Sequence, residues 1–135
     1  MTHETASPEE TEALGAELAE RLSSGDVVLV SGDVGSGKTT FVRGAARALG
    51  VEGPVTSPPF TIGHVLAGRV EVAHLDLYRL ASLDGEDPQL LDDYLTPERI
   101  GFVEWPAVGE ASVPRVAARV RLEHAGWDRR TVEIA

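Results

Sequence analysis

A chain of 135 residues, 42% hydrophobic, without cysteine and with a formal net charge of −10, is long enough to bury one core and is expected to form a single domain over residues 1–135. The missing cysteine excludes disulfides and thiolate metal sites and fits a reducing, cytoplasmic setting. The acidity argues against a stand-alone nucleic-acid binder, which needs clustered positive charge to neutralise phosphates. With no apolar run of bilayer length, and no basic patch leading into an apolar run in "MTHETASPEE", the chain is read as neither membrane-spanning nor exported.

In chain order, "ASPEE" has the features of a helix start. Ser7 can cap, Pro8 suits the first turn, and Glu9 and Glu10 complement the positive helix end. Leu14, Leu18 and Leu22 recur every four residues as one apolar stripe. After "SSGD", the run "VVLVSG" predicts a short strand covered on both faces. "TTFVRGAARALG" predicts a second helix with Gly50 just past its end. "VEGPVTSPP" reads as loop. "FTIGHVL" and "RVEVAHLDLY", separated only by "AG", read as a hairpin. "PQLLDDYLTPER" predicts a short helix and a turn, and "IGFVEW" another apolar strand that Pro106 ends. "RVAARVRLEHA" and "RRTVEIA" read as two strands joined around Gly126. The fold class that results is α/β: a mostly parallel or mixed central sheet flanked by helices, with terminal antiparallel strands.

Between the first buried strand and the second helix lies "GDVGSGKTT". Residues Gly32 to Thr39 match G-x-x-x-x-G-K-[ST] in the strand–loop–helix setting that gives the pattern meaning. Gly32, Gly35 and Gly37 let the backbone wrap an anion. The amides of Asp33, Val34 and Ser36 line the same turn, at the positive end of the following helix. Thr39 offers a hydroxyl to Mg²⁺, and Thr40 a further phosphate contact. Lys38 is the only lysine in a chain with eleven arginines. A compact ammonium on a flexible stem suits the β- and γ-phosphates where a planar guanidinium fork does not.

Two predicted strands end in carboxylates on the same edge of the sheet as this loop. Asp76 closes "VEVAHLD" and is a candidate for Mg²⁺, directly or through water. Glu104 closes "IGFVE" and is a candidate to orient or deprotonate an attacking water. A guanine-reading Asn/Thr-Lys-x-Asp stretch is excluded, because the chain has no asparagine and no second lysine. ATP is therefore the expected nucleotide. Hydrolysis and phosphorylation of a small molecule or nucleoside both remain open at this point. Arg79, or the pair Arg129 and Arg130, could serve an acceptor site, although no arginine-rich lid insertion is present.

"GDVGSGKTTFVRGAARALG", "SPPFT", "HLDLYRL" and "VEWP", in that order and spacing over residues 8 to 110, resemble the bacterial tRNA threonylcarbamoyladenosine biosynthesis ATPase family, TsaE or YjeE. The resemblance implies a small P-loop ATPase with a mixed sheet. It implies a chain that acts with the TsaD and TsaB proteins to sustain threonylcarbamoylation of the adenosine beside the anticodon, touching tRNA at most indirectly. Carried over position by position, Lys38 and the surrounding amides hold phosphates. Thr39, Asp76 and Glu104 serve magnesium and the hydrolytic water, and Trp105 sits beside them. One departure is Ser57-Pro58-Pro59-Phe60, where the family usually has S-P-T-[FY]. Pro59 has neither hydroxyl nor N–H, and Thr56, Ser57 or Thr61 would have to replace any contact that threonine makes. Residues 111 to 135 carry no motif.

Overall fold

The structure, a computed structural model, describes residues 1–33, 35–56, 63–77, 90–105 and 113–135. The first helix, α1 (Pro8–Ala19), begins as its sequence dictates. The Ser7 hydroxyl accepts the Glu10 amide at 3.2 Å, and the Glu10 carboxylate accepts the Ala6 amide at 3.1 Å, a reciprocal cap. Before it lies a strand the sequence reading did not anticipate, β1 (Thr2–Thr5). The other elements follow in the expected order: β2 (Val27–Gly32), α2 (Lys38–Ala48), β3 (Gly63–Leu66), β4 (Val72–Asp76), α3 (Leu90–Tyr94), β5 (Ile100–Glu104), β6 (Val116–His124) and β7 (Arg130–Ile134).

The strands form one seven-stranded sheet in the order β1-β7-β6-β2-β5-β4-β3. The four central strands, β6, β2, β5 and β4, are mutually parallel, whereas β3, β7 and β1 join the flanks antiparallel. The terminal pair β6–β7 is antiparallel as expected, and β6 also inserts parallel beside β2. Because the central strands run the same way, Gly32, Asp76, Glu104 and His124 all reach one edge of the sheet.

Alternation along β2 sorts the core into two layers. Val28 and Val30 face Phe41, Val42 and Ala45 of α2 and Leu18 of α1. Val27 and Leu29 face Leu91 and Leu95 of α3, with Ala73, Leu75 and Val103. All four β2 side chains are buried, each contributing about 1.5–3 kcal/mol of transfer free energy. The strand that launches the glycine loop is thereby among the firmest parts of the fold. Among the described residues no helix is long and apolar enough to cross a membrane.

Candidate functional site

The loop between β2 and α2 needs backbone shapes that side chains oppose. Gly32 has φ +144°, and a Cβ there would lie 2.3 Å from the Leu122 carbonyl oxygen. Gly37, at the N-cap of α2, has φ +101°. Both positions therefore require glycine for physical reasons, beyond matching a pattern. The turn is tied by the Ser36 amide donating to the Asp33 carbonyl at 3.0 Å. Val34 lies outside the described residues. The Ser36 hydroxyl is buried, 1% exposed, and among the described residues it has no hydrogen-bond partner. A buried donor left unmatched is costly, and its position inside the loop suits an anion that supplies the missing acceptor.

Lys38 is only 6% exposed. Its Nζ donates to the carbonyls of Gly32 at 2.8 Å and Asp33 at 2.9 Å, and it lies 4.0 Å from the centre of the Trp105 ring. The loop folds over its own ammonium, whose bonds to carbonyl oxygens and to the indole face replace water. Burial lowers the Lys38 pKa below the usual 10.5, against the attraction of Glu104, Asp76 and Asp33, which raises it. Trp105 reaches this place by a left-handed backbone, φ 56°, its amide donating to the Val30 carbonyl at 3.1 Å.

The two strand-end carboxylates are brought together. Asp76 and Glu104 are register partners on β4 and β5. Glu104 is buried, 2% exposed, rather than lying at a solvated strand end. The Thr39 hydroxyl, in the first turn of α2, lies 3.0 Å from one of its carboxylate oxygens and 3.3 Å from the other. The first carboxylate oxygen also lies 2.5 Å from Nε2 of His74. By sequence alone His74 reads as a packed or surface histidine and not as a site residue; it is packed, and it also reaches Glu104. Its signal was the two-residue spacing to Asp76, which puts both on one face of β4.

Among the described residues no group of three or more His, Asp or Glu side chains is placed to hold a metal by itself. Thr39, Asp76 and Glu104 offer hard oxygen atoms that fit Mg²⁺ only if phosphate oxygens and water complete its shell, which is how that ion is usually bound. The donor set and the orphaned Ser36 hydroxyl thus fit the same guest, a polyphosphate carrying a divalent cation.

On the other side of the loop, Thr40 and Gly37 meet Asp128 and Arg130. Arg130 donates to the Gly35 carbonyl at 3.1 Å. Beyond Arg130 opens a cleft of about 350 Å³ lined by Thr5, Ala6, Glu10, Ala125 and Arg129. Arg43 turns away from the loop, donating to the Val55 carbonyl at 3.2 Å. The whole "SPPFT" segment, residues 57–61, and also Tyr78 and Arg79, lie outside the described residues.

The sequence pattern described as "Threonylcarbamoyl adenosine biosynthesis protein TsaE" matches residues 5–132. The chain is 36% identical to the tRNA threonylcarbamoyladenosine biosynthesis protein TsaE of Bacillus subtilis (strain 168), covering 95% of this chain and 80% of that protein. It is 39% identical to the protein of the same name from Mycobacterium tuberculosis (strain ATCC 25618 / H37Rv), covering 85% and 74%. Among solved structures, Bacillus subtilis YdiB matches with a TM-score of 0.80 at 32% identity, over 98% of this chain and 82% of that one. The fold is the P-loop nucleotide-binding fold, with a mixed sheet flanked by helices.

Proposed function

The chain belongs to the TsaE family of threonylcarbamoyl adenosine biosynthesis proteins, and from that premise we propose that it is a Mg²⁺-dependent ATPase subunit of tRNA threonylcarbamoylation. In this reading residues 1–135 act as one ATPase domain. It binds and hydrolyses ATP on behalf of a TsaD–TsaB complex that forms the threonylcarbamoyl modification of adenosine 37 in tRNAs reading ANN codons. The observation that carries the reading is the buried Glu104 carboxylate held 3.0 Å from the P-loop Thr39 hydroxyl. An acid in that place has little structural use and an obvious chemical one.

In this reading the amides of residues 32–40 and the ammonium of Lys38 bind the phosphate chain. Lys38 exchanges the Gly32 and Asp33 carbonyls for phosphate oxygens, and Thr39, Asp76 and Glu104 face the cation. Bound Mg²⁺ supplies charge neutralisation for the phosphates. Glu104 orients the hydrolytic water and takes its proton, and Trp105 shields the site on the β5 side.

Turnover by the protein alone is expected to be slow. Efficient P-loop hydrolases add an arginine at the transferring phosphate, worth about 10³–10⁵ in rate. Arg130 meets the loop from β7, which lies across β2 from Glu104 on β5. The test is steady-state phosphate release by the protein alone and then with a matched TsaD–TsaB complex. Slow release that the complex accelerates is expected. Fast release that the complex leaves unchanged, or a phosphorylated small molecule in place of free phosphate, overturns the reading.

A further inference from the structure

Glu104 and His74 are both withdrawn from solvent, at 2% and 0% exposure. His74 sits on β4 at a position where alternation calls for a core residue: Val72, two residues earlier on the same face, is buried among Phe102, Phe41 and Val30. An imidazole in such a place needs a partner, and among the described residues its hydrogen bond is to Glu104, Nε2 to Oε2 at 2.5 Å. The parallel register sets this up. Asp76 stands opposite Glu104 and His74 opposite Phe102, so the ring reaches diagonally across one strand step.

From this geometry we infer that His74 is the positioning residue for Glu104, acting through a hydrogen carried on Nε2. The inference rests on the ATPase reading above. A carboxylate oxygen accepts, so Nε2 must donate. Nδ1 is buried and, among the described residues, has no hydrogen-bond partner. Among the described residues Glu104 is gripped by two side-chain donors, the His74 ring and the Thr39 hydroxyl. They are not equivalent once the site is loaded, because the Thr39 oxygen is among those that face the cation. Of these two, the donor that remains committed to Glu104 throughout is His74. It fixes the side-chain torsions of Glu104, so that the second oxygen is presented to water in one orientation and not several.

Amide side chains separate this role from packing. Glutamine can place its NH₂ where Nε2 stands, asparagine reaches only to the place of Nδ1, and leucine fills volume with no donor. Turnover by the protein with its TsaD–TsaB complex is measured for His74→Gln, His74→Asn and His74→Leu, with ATP affinity and melting temperature measured on each protein alone. Outer-layer partners of this kind are worth about 10–100-fold in activity. His74→Leu and His74→Asn are therefore expected to lose at least about tenfold in kcat, with ATP affinity within about twofold of wild type. His74→Gln is expected to recover most of that loss. Nitrogen-15 NMR of the wild-type imidazole is expected to place the hydrogen on Nε2.

Leucine performing as well as glutamine, or kcat and ATP affinity falling together in all three, would reduce His74 to packing and overturn the inference. So would an Nε2 found without a hydrogen. If leucine does not fold, glutamine against asparagine decides. If the wild type hydrolyses nothing even with its partners, the ATPase reading fails first, and the NMR result alone tells whether the His74–Glu104 hydrogen bond stands.

Discussion

Lys38 is where residue chemistry and fold pull against each other. An ammonium 6% exposed is held by two carbonyls and an indole, and burial still lowers its pKa below 10.5. Lys38→Met keeps the stem and removes the charge. A charge-assisted hydrogen bond is worth about 1.5–3 kcal/mol, so ATP affinity by calorimetry is expected to fall at least tenfold while the protein stays folded. The same burial sets a pH dependence. With the folded value below 10.5, the unfolded chain binds the proton more tightly, so raising the pH through that window stabilises the folded state. The unfolding free energy of wild type minus that of Lys38→Met, from urea titrations, is therefore expected to rise as the pH approaches 10.5. A difference flat with pH would mean that the ammonium is not disfavoured by its surroundings. Glu104→Gln tests the other half of the site. It preserves shape and hydrogen-bonding reach but cannot take a proton, so ATP should bind within a few-fold of wild type and hydrolyse far more slowly. The requirement for lysine at position 38 was legible, because the motif demands it. Its burial was not, because that depends on a left-handed Trp105 brought by a strand more than sixty residues away.

At the scale of elements, the helix pair α1–α2 holds the loop in place through two glycines. A Cβ on Gly44 would lie 1.9 Å from the Glu12 carbonyl oxygen, and one on Gly15 2.1 Å from that of Phe41. Intrinsic propensity favours alanine over glycine in a helix interior by about 1 kcal/mol. Forcing the two backbones apart costs about 1–3 kcal/mol or more, so the contact wins. Gly44→Ala is expected to lower the urea midpoint, and ATP affinity should fall with it if the helix shift reaches Gly37. An unchanged or raised midpoint would show that the two helices separate freely. None of this was visible in "TTFVRGAARALG", where Gly44 reads as a neutral interruption. The strands divide in the same way. Val27 to Val30 announced a buried strand by composition alone, whereas β1 is built from "THET", which has two β-branched threonines but no apolar residue to show an alternation. It exists because Thr2 to Thr5 find partners in Glu133 to Arg130, a pairing that only the closed sheet can supply. Residues 111–135, which carry no motif, contain β6, the strand that lies directly against β2. Its apolar positions, Ala118, Val120 and Leu122, hold the sheet together without bearing chemistry, which is why a motif search ends before them.

For the whole molecule, strand order fixes the direction in which a nucleotide can lie. β2 delivers the phosphate loop at the middle of the sheet, with β5 and β4 on one side and β6, β7 and β1 on the other. On the ATPase reading, the carboxylates Glu104 and Asp76 occupy the first side, and the phosphate that reacts is proposed to lie there. The α-phosphate end would then point toward Thr40 and Arg130, leaving the nucleoside to the cleft beyond, between the β6–β7 turn and the residues around the end of β1. In that orientation the unanticipated first strand would wall the nucleoside end, and the motif-free tail would supply the opposite wall. Ala125, exposed in that turn, is suited to a test because its backbone bond to Arg129 does not involve its side chain. Ala125→Trp should fill the cleft without touching the loop. Calorimetry with two ligands then separates the ends of the nucleotide. ATP affinity is expected to fall by about tenfold or more, equivalent to about 1.4 kcal/mol of lost nucleoside contact, whereas inorganic tripolyphosphate, which has no nucleoside, should bind as it does to wild type. Equal losses for both ligands would mean that the substitution disturbed the loop. Undiminished ATP binding beside intact tripolyphosphate binding would place the base elsewhere, and would reverse the orientation drawn from the strand order.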